Sequence, residues 1–233
     1  MLELCDVSKN YNGQAIFDKI SMKIAANEVT GLLGPSGSGK STILKMFAGI
    51  VQPDSGTVTI DSQQIGFVFQ EHRLIPWKTA RENVCFSLQA SGMKKENAME
   101  KAKHFLERVQ LGSCINQYPN QLSGGMCQRV SIARALAIQP DILLLDEPFS
   151  SLDLDLKNNL LDFLEQILNE HREMTVVYVT HDPSELTRLT HFVYQITPGG
   201  QLEKTMLITP VTYKPEHGNP LKETKDNKCK KKP

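Results

Sequence analysis

An α/β fold built on a parallel sheet is what this sequence of 233 residues predicts, and three observations predict it. Compact apolar runs, "EVTGLLG" at 28–34, "DILLLDE" at 141–147 and "TVVYVTHD" at 175–182, read as strands buried on both faces. Amphipathic helices separate the runs, and that alternation implies parallel strands between helical layers. A glycine-rich loop joins the first run to the first helix.

The other elements follow in order. Within the first seventy residues Ile20, Met22 and Ile24 alternate with polar residues, as do Val58 and Ile60, so short strands are expected there. Gly13, "AAN" at 25–27 and "PDSG" at 53–56 punctuate them as turns. The segment "KSTILKMFAGI" leaves the loop as a helix, with Gly49 as its stop. Residues 71–139 turn helical: Ala98, Ala102, Phe105, Leu106 and Val109 recur at helical spacing, and "GGMCQRVSIARALAI" at 124–138 is a helix entered through glycines. This block is expected to be an insertion into the core. Beyond it, Leu156, Leu160, Leu161, Leu164, Ile167 and Leu168 share one helical face. No internal repeat is visible.

Composition narrows the class. Apolar residues are 40% and charged residues 22%, as in a globular protein, and the length permits one large domain or a domain with a subdomain. A formal net charge of zero gives no overall pull toward nucleic acid or an anionic membrane. The charge is uneven, since "KETKDNKCKKKP" at 222–233 sets six lysines against two acids and has no apolar face to bury. A solvated basic tail over 216–233 is therefore expected. Five cysteines without a CxxC pair suggest neither a disulfide framework nor a zinc site, and fit a reducing compartment. The start, "MLELCDVSKNY", is not a signal peptide, and no run approaches the ~20 apolar residues of a membrane span. A membrane role requires another chain to do the crossing.

Three stretches carry chemistry. Gly34, Pro35, Ser36, Gly37, Ser38, Gly39, Lys40 and Ser41 match the phosphate-loop pattern G-x-x-x-x-G-K-[ST]. Glycines let backbone N–H groups curl around phosphate oxygens, and the following helix points its positive end at them. Lys40 is placed for the β- and γ-phosphates and Ser41 for Mg²⁺. "ILLLDEP" at 142–148 puts Asp146 and Glu147 at the carboxyl end of a buried strand, where ligands sit in open α/β sheets. Asp146 suits the Mg²⁺ shell, and Glu147 suits the orientation or deprotonation of a water. The third stretch, "LSGGMCQR" at 122–129, is a second glycine-rich segment. Either it is a plain turn, or it binds a phosphate that the first loop does not fully enclose.

The phosphate loop, Gln70 in "FVFQE", "LSGGM", "LLLDEP", "SSLD" and "VTHD" occur in one order over residues 1–210. That set resembles the ATP-binding subunit of ABC transporters. The resemblance implies a P-loop NTPase core with an N-terminal antiparallel β subdomain, in an ATP-binding domain over 1–215 whose helical subdomain spans about 71–139. It implies ATP and Mg²⁺ as cofactors and a head-to-tail homodimer. Each ATP would then lie between the loop 34–42 of one chain, Thr42 included, and Ser123, Gly124 and Gly125 of the other. Tyr11 would stack on adenine, with an ordinary strand aromatic as the alternative. Gln70 would sense Mg²⁺ and the attacking water, and His181 would contact the γ-phosphate beside Glu147. Asp153 would cross the dimer interface; it also suits a helix N-cap.

Departures from the family's pattern are few. Only "DSQQ" separates "GTVTI" from "IGFVF", "PSELTRLTHFVYQIT" lacks the usual acid–arginine pair, and Met126 stands where glutamine is commoner. The segment "EHRLIPWKTARENV" at 71–84 looks like that of bacterial nitrate, taurine and aliphatic-sulfonate importers. In it Leu74, Ile75 and Trp77 face either a membrane partner or the core of the helical block. The resemblance thus implies an ATP hydrolase that energises import of a small anionic solute. It would dock peripherally on transmembrane permease subunits at the cytoplasmic face of the inner membrane, touching lipid only through them and no nucleic acid. An exporter or lipoprotein-release ATPase is the alternative, and a soluble non-transport ATPase is further off, because long coiled coils and a second cassette are missing.

Overall fold

The computed structural model describes residues 1–150, 152–197 and 202–206. The expected basic tail at 216–233 lies outside these residues, as does Ser151 of "SSLD".

Two sheets share the work. β1 (Leu2–Tyr11) and β2 (Gln14–Ile24) form a hairpin, and β4 (Ser55–Ile60) pairs with the other edge of β1, all antiparallel. The hairpin turns at Asn12 and Gly13, both at positive φ, the two-residue geometry whose twist matches the flanking strands. The second sheet has the order β5 (Ile65–Val68), β6 (Ile142–Asp146), β7 (Thr175–Val179), β3 (Val29–Leu33), β8 (Phe192–Ile196), β9 (Leu202–Met206). Its strands are parallel except the antiparallel edge strand β9.

The continuous apolar runs have their physical explanation in two cores. Ile142 and Leu144 of β6, with Val177 and Val179 of β7, face a cluster holding Leu2, Leu4 and Ile24 of the antiparallel sheet and α1 (Lys40–Phe47). Their neighbours Leu143, Leu145, Val176 and Tyr178 face the opposite cluster. There they meet α4 (Gly124–Ala137), α5 (Leu154–Glu170) and α6 (Pro183–Leu189). Successive side chains of a strand point to opposite faces, so burial on both sides confines the polar positions to the strand ends, Asp146 of β6 and Thr175 of β7.

The helical block holds α2 (Ala80–Ala90), α3 (Lys95–Arg108) and the start of α4. α2 shows what "PWKTARENV" does locally. Thr79 caps it in a capping box with Glu82. Asn83, fully buried, accepts from the Ile75 N–H at 2.7 Å and donates to the carbonyls of Ile75, Lys78 and Thr79. Val84 enters the core. The segment is thereby tied down with Trp77 turned outward, 75% exposed, so Trp77 is not part of the helical core. Leu74 does pack against that core.

At the carboxyl end of the chain, the missing acid–arginine pair is replaced by another anchor. Arg188 in the last turn of α6 pairs with Asp162 and Glu165 of α5.

Candidate active site

Parallel pairing decides where the motifs meet. Leu32 of β3 lies beside Val179 of β7, Val179 beside Asp146 of β6, and Leu145 beside Val68 of β5. The carboxyl ends of four neighbouring strands therefore form one edge. The segments leaving that edge are the loop 34–39, the stretch with Gln70, Glu147, and the stretch with His181. Ligands of open α/β sheets sit at such an edge.

The phosphate loop is closed around its own lysine. Lys40 is 6% exposed, and its Nζ donates to the carbonyls of Gly34 and Pro35, both at 2.8 Å. Burial pulls the ammonium pKa down, opposed by the nearby Glu147 and Asp146 carboxylates. Gly37 and Gly39 both take positive φ, and Gly39 abuts Ile16 and Phe17 of the antiparallel sheet so closely that a Cβ there would lie 2.2 Å from Phe17 Cζ. The Ser38 hydroxyl is buried in this loop without a hydrogen-bond partner among the described residues. Such an orphan costs stability unless a ligand or water satisfies it.

Beside the loop stands an oxygen-donor pair. Ser41 Oγ donates to Asp146 Oδ1 at 3.0 Å. Burial raises the Asp146 pKa, the Ser41 hydrogen bond opposes this, and the Glu147 charge adds to the rise. No group of three or more His, Cys, Asp or Glu suited to a metal exists among the described residues. Glu147 follows at φ 46°, a strained backbone for a residue with a side chain. Its N–H donates to Val179 O at 2.9 Å, which ties it to β7, and its Oε2 lies 3.4 Å from His181 Nδ1. Strain of this kind clusters at functional sites.

Lys40, Ser41, Asp146, Glu147 and His181 are thus brought together. Tyr11, Gln70 and Ser123 are exposed, and no hydrogen bond or ion pair among the described residues joins them to this group. Tyr11 lies under Lys9, whose Nζ is 5.4 Å from the ring centroid and 2.6 Å from Asp54 Oδ1. Ser123 caps α4, accepting from the Met126 N–H at 3.2 Å, with Gly124 and Gly125 opening the helix. Asp153 caps α5, accepting from the Leu156 N–H at 2.9 Å, so its plain structural role is met.

Three contacts were not legible as motifs. Gln128 of α4 donates to Phe69 O at 3.2 Å, and Arg134 donates to His72 O and Arg73 O. The helix that begins at "LSGG" thereby grips the backbone on both sides of Gln70. Phe17, which walls the phosphate loop, reads in the sequence only as a strand residue. A cavity of about 160 Å³ lined by Phe105, Leu136, Ile167 and Met174 includes none of these groups.

Comparison with known proteins agrees with this geometry. Residues 17–150 match the family model described as ABC transporter. A probable sulfate/thiosulfate import ATP-binding protein of Chlorella vulgaris is 39% identical over 204 residues, covering 83% of this chain and 86% of that one. The sulfate/thiosulfate import ATP-binding protein of Synechococcus elongatus is 40% identical over 79% of this chain, which spans only 56% of that longer protein. A nitrate import ATP-binding protein of Synechocystis is 37% identical, covering 89% of this chain and 82% of its own length. Among solved structures, a dimeric post-hydrolysis state of an ATP-binding cassette bound to ADP and Pi superimposes with a TM-score of 0.82 at 34% identity. It covers 89% of this chain and 99% of that one. A phosphate loop, an acid-tipped strand and a histidine loop on one sheet edge, in a chain with these relatives, identify a member of the ABC transporter family: an ATP-binding cassette with ATP hydrolase activity.

Proposed function

We propose that this chain energises an importer of a small oxyanion, acting as a homodimer docked on membrane-spanning permease subunits at the cytoplasmic face of the inner membrane. The observation that carries the hydrolytic part is the strand-edge cluster of Lys40, Ser41, Asp146, Glu147 and His181. Import and cargo class rest on the relatives, which handle sulfate, thiosulfate and nitrate by name. Those solutes are small anions with several oxygen acceptors, and taurine and alkanesulfonates carry an anionic sulfonate of the same kind. Among the described residues no helix is long and apolar enough to cross a membrane, so the crossing falls to the permease. Trp77 and Phe86, 75% and 51% exposed, offer apolar surface for that partner.

The residues fit ATP and Mg²⁺. An unpartnered buried hydroxyl at Ser38 and a desolvated ammonium at Lys40 both suit an anion. One carboxylate with one hydroxyl suits Mg²⁺, which takes one or two carboxylates and draws its other ligands from phosphates and water. Lys40 and the N–H groups from Gly34 to Thr42, Pro35 excepted, would hold the phosphates. Ser41, Asp146 and Gln70 would hold the metal, and Tyr11 the adenine. Mg²⁺ would supply charge neutralisation at the phosphates. Glu147 would accept a proton from water at its carboxylate, and His181 would orient the same region. Ser123, Gly124 and Gly125 would complete the site of the other chain. Lys40 must exchange the Gly34 and Pro35 carbonyls for phosphate oxygens, and so must turn within the loop.

Glu147→Gln tests the reading. The substitution keeps size and Mg²⁺ ligands but removes the proton acceptor, and loss of one such group costs ~10²–10⁴-fold in rate. With MgATP, size-exclusion chromatography should show the variant as a dimer that reverts with ADP, while the wild type stays monomeric. An active variant would remove Glu147 from hydrolysis; an inactive variant that stays monomeric at saturating MgATP would remove the homodimer.

A further inference from the structure

His181 is held by almost nothing of its own. Its side chain is 67% exposed, and its Nδ1 lies 3.4 Å from Glu147 Oε2. The backbone that carries it must therefore set its position. The next residue, Asp182, is fixed on every side. Its N–H donates to Thr180 Oγ1 at 3.0 Å, and its Oδ1 caps α6 by accepting from the Ser184 N–H at 2.9 Å and the Ser184 hydroxyl at 2.6 Å. Its Oδ2 accepts from Lys157 Nζ at 2.6 Å.

Lys157 makes a second ion pair, to Glu185 Oε1 at 2.5 Å. Glu185 is almost fully buried, and its other oxygen accepts from the Tyr178 hydroxyl at 2.6 Å. A buried carboxylate is tolerable only when paired and hydrogen-bonded, and these two partners supply both. Burial would lower the Lys157 pKa, but the hydrogen bonds to Asp182 and Glu185 carry it above its ordinary value. The ammonium thus joins three elements: β7 through Tyr178, α6 through Glu185, and the His181 segment through Asp182. Its own backbone N–H donates to Asp153 O at 2.9 Å, so it also sits one turn inside the helix that Asp153 caps.

We propose that Lys157 is a positioning residue for ATP hydrolysis: its bridge to Asp182 and Glu185 fixes the backbone from which His181 reaches Glu147. This rests on the role given to His181 above. Displacing a catalytic group by about 1 Å can cost ~10²-fold, so removing the bridge should lower turnover without altering the phosphate loop.

A double-mutant cycle on the purified full chain tests this, with ATPase rates measured over a range of MgATP. Lys157→Met should lower kcat by ~10–10²-fold with little change in KM, the split expected when ground-state binding is untouched. Lys157→Arg, which keeps both ion pairs, should restore most of the loss. In a His181→Ala background, Lys157→Met should cost less than about twofold more, since residues acting through one another are not additive. If Lys157→Met alone does not fold, Lys157→Met with Glu185→Gln removes both buried charges together and enters the same cycle. Losses that multiply, with His181→Ala itself defective, would overturn the role of Lys157 and leave that of His181 intact. A fully active His181→Ala would overturn both.

Discussion

Gly39→Ala should destabilise the protein by two separable effects. The first is conformational: φ is 91° there, and a residue with a Cβ in the left-handed region costs ~1–2 kcal/mol. The second is steric. An added Cβ would meet Phe17 Cζ at 2.2 Å and Ile16 Cγ2 at 2.6 Å, well inside contact distance. Phe17 is only 2% exposed and belongs to the core under the antiparallel sheet, so its ring cannot swing into solvent to make room. Overpacking of this kind costs ~1–3 kcal/mol. The sum is about 2–5 kcal/mol, or roughly 4–20 °C in Tm for a chain of this size. Gly37→Ala is the control, because Gly37 also has positive φ, at 77°, but nothing lies within 4 Å of its added Cβ. It should bear the conformational cost alone, roughly 2–8 °C. Phe17→Leu placed on Gly39→Ala should recover part of the steric loss. The assay is thermal unfolding by circular dichroism in the absence of nucleotide. Equal Tm values for Gly39→Ala and Gly37→Ala would refute the claim that the antiparallel sheet presses on the phosphate loop.

Two further outcomes follow from the site. Lys40→Ala should weaken nucleotide binding and abolish hydrolysis, whereas Ser123→Arg should retain nucleotide binding by the monomer and lose hydrolysis; mixing the two variants should restore one composite site in two, seen as recovered ATPase activity, and no recovery would refute the two-chain site. Asp182 is held down to about 2 by its hydrogen bonds to Lys157 and Ser184, so its contribution to stability is complete above the ordinary carboxylate pKa and is lost as pH falls from about 4 toward 2. Asp182→Asn should therefore flatten the acid limb of the wild-type denaturation curve, and an unchanged limb would mean that the Lys157 bridge adds no stability.

The parts of the fold that were legible are those where burial leaves a one-dimensional trace. β6 and β7 are buried on both faces, so every position but the terminal Asp146 and Thr175 is apolar or aromatic and the run is unmistakable. The phosphate loop is legible for a different reason: a tight anion cradle admits few residue types, and those types are adjacent in the chain. α4 is harder. The sequence reads it as part of an inserted helical block, yet it packs on α2 and α3 and also on β5, where the Ala135 carbonyl would lie 2.7 Å from a Cβ on Gly66. A helix that belongs to two bodies has no composition shift to mark where one ends. "PWKTARENV" shows a different gap. Its pattern was recognisable by likeness, but its physics, an Asn83 side chain tying four backbone groups of the preceding loop, needs the loop's three-dimensional path.

The site divides along the same line. Lys40 is fixed by carbonyls of its own loop, and Ser41 and Asp146 each stand inside a motif whose residue types name the role, so the motifs were enough to group them although Ser41 meets Asp146 across 105 residues of chain. The Glu147–His181 pair depends on β6 and β7 lying side by side, which parallel pairing supplies but no local pattern records. Lys157 is further from legibility still. Its spacing on α5 marks a charged residue between apolar positions, the usual sign of a solvated face, and its partners lie 25 and 28 residues on, in an element whose docking the sequence does not specify. What distinguishes it is burial: its side chain is 15% exposed, against 56% for Lys103, whose partner lies one turn along the same helix. An exposed ion pair such as that of Lys103 contributes ~0–1 kcal/mol and fixes little. A lysine drawn into the protein by a carboxylate that is itself buried cannot leave without stranding that charge, and so it constrains the geometry of everything it touches.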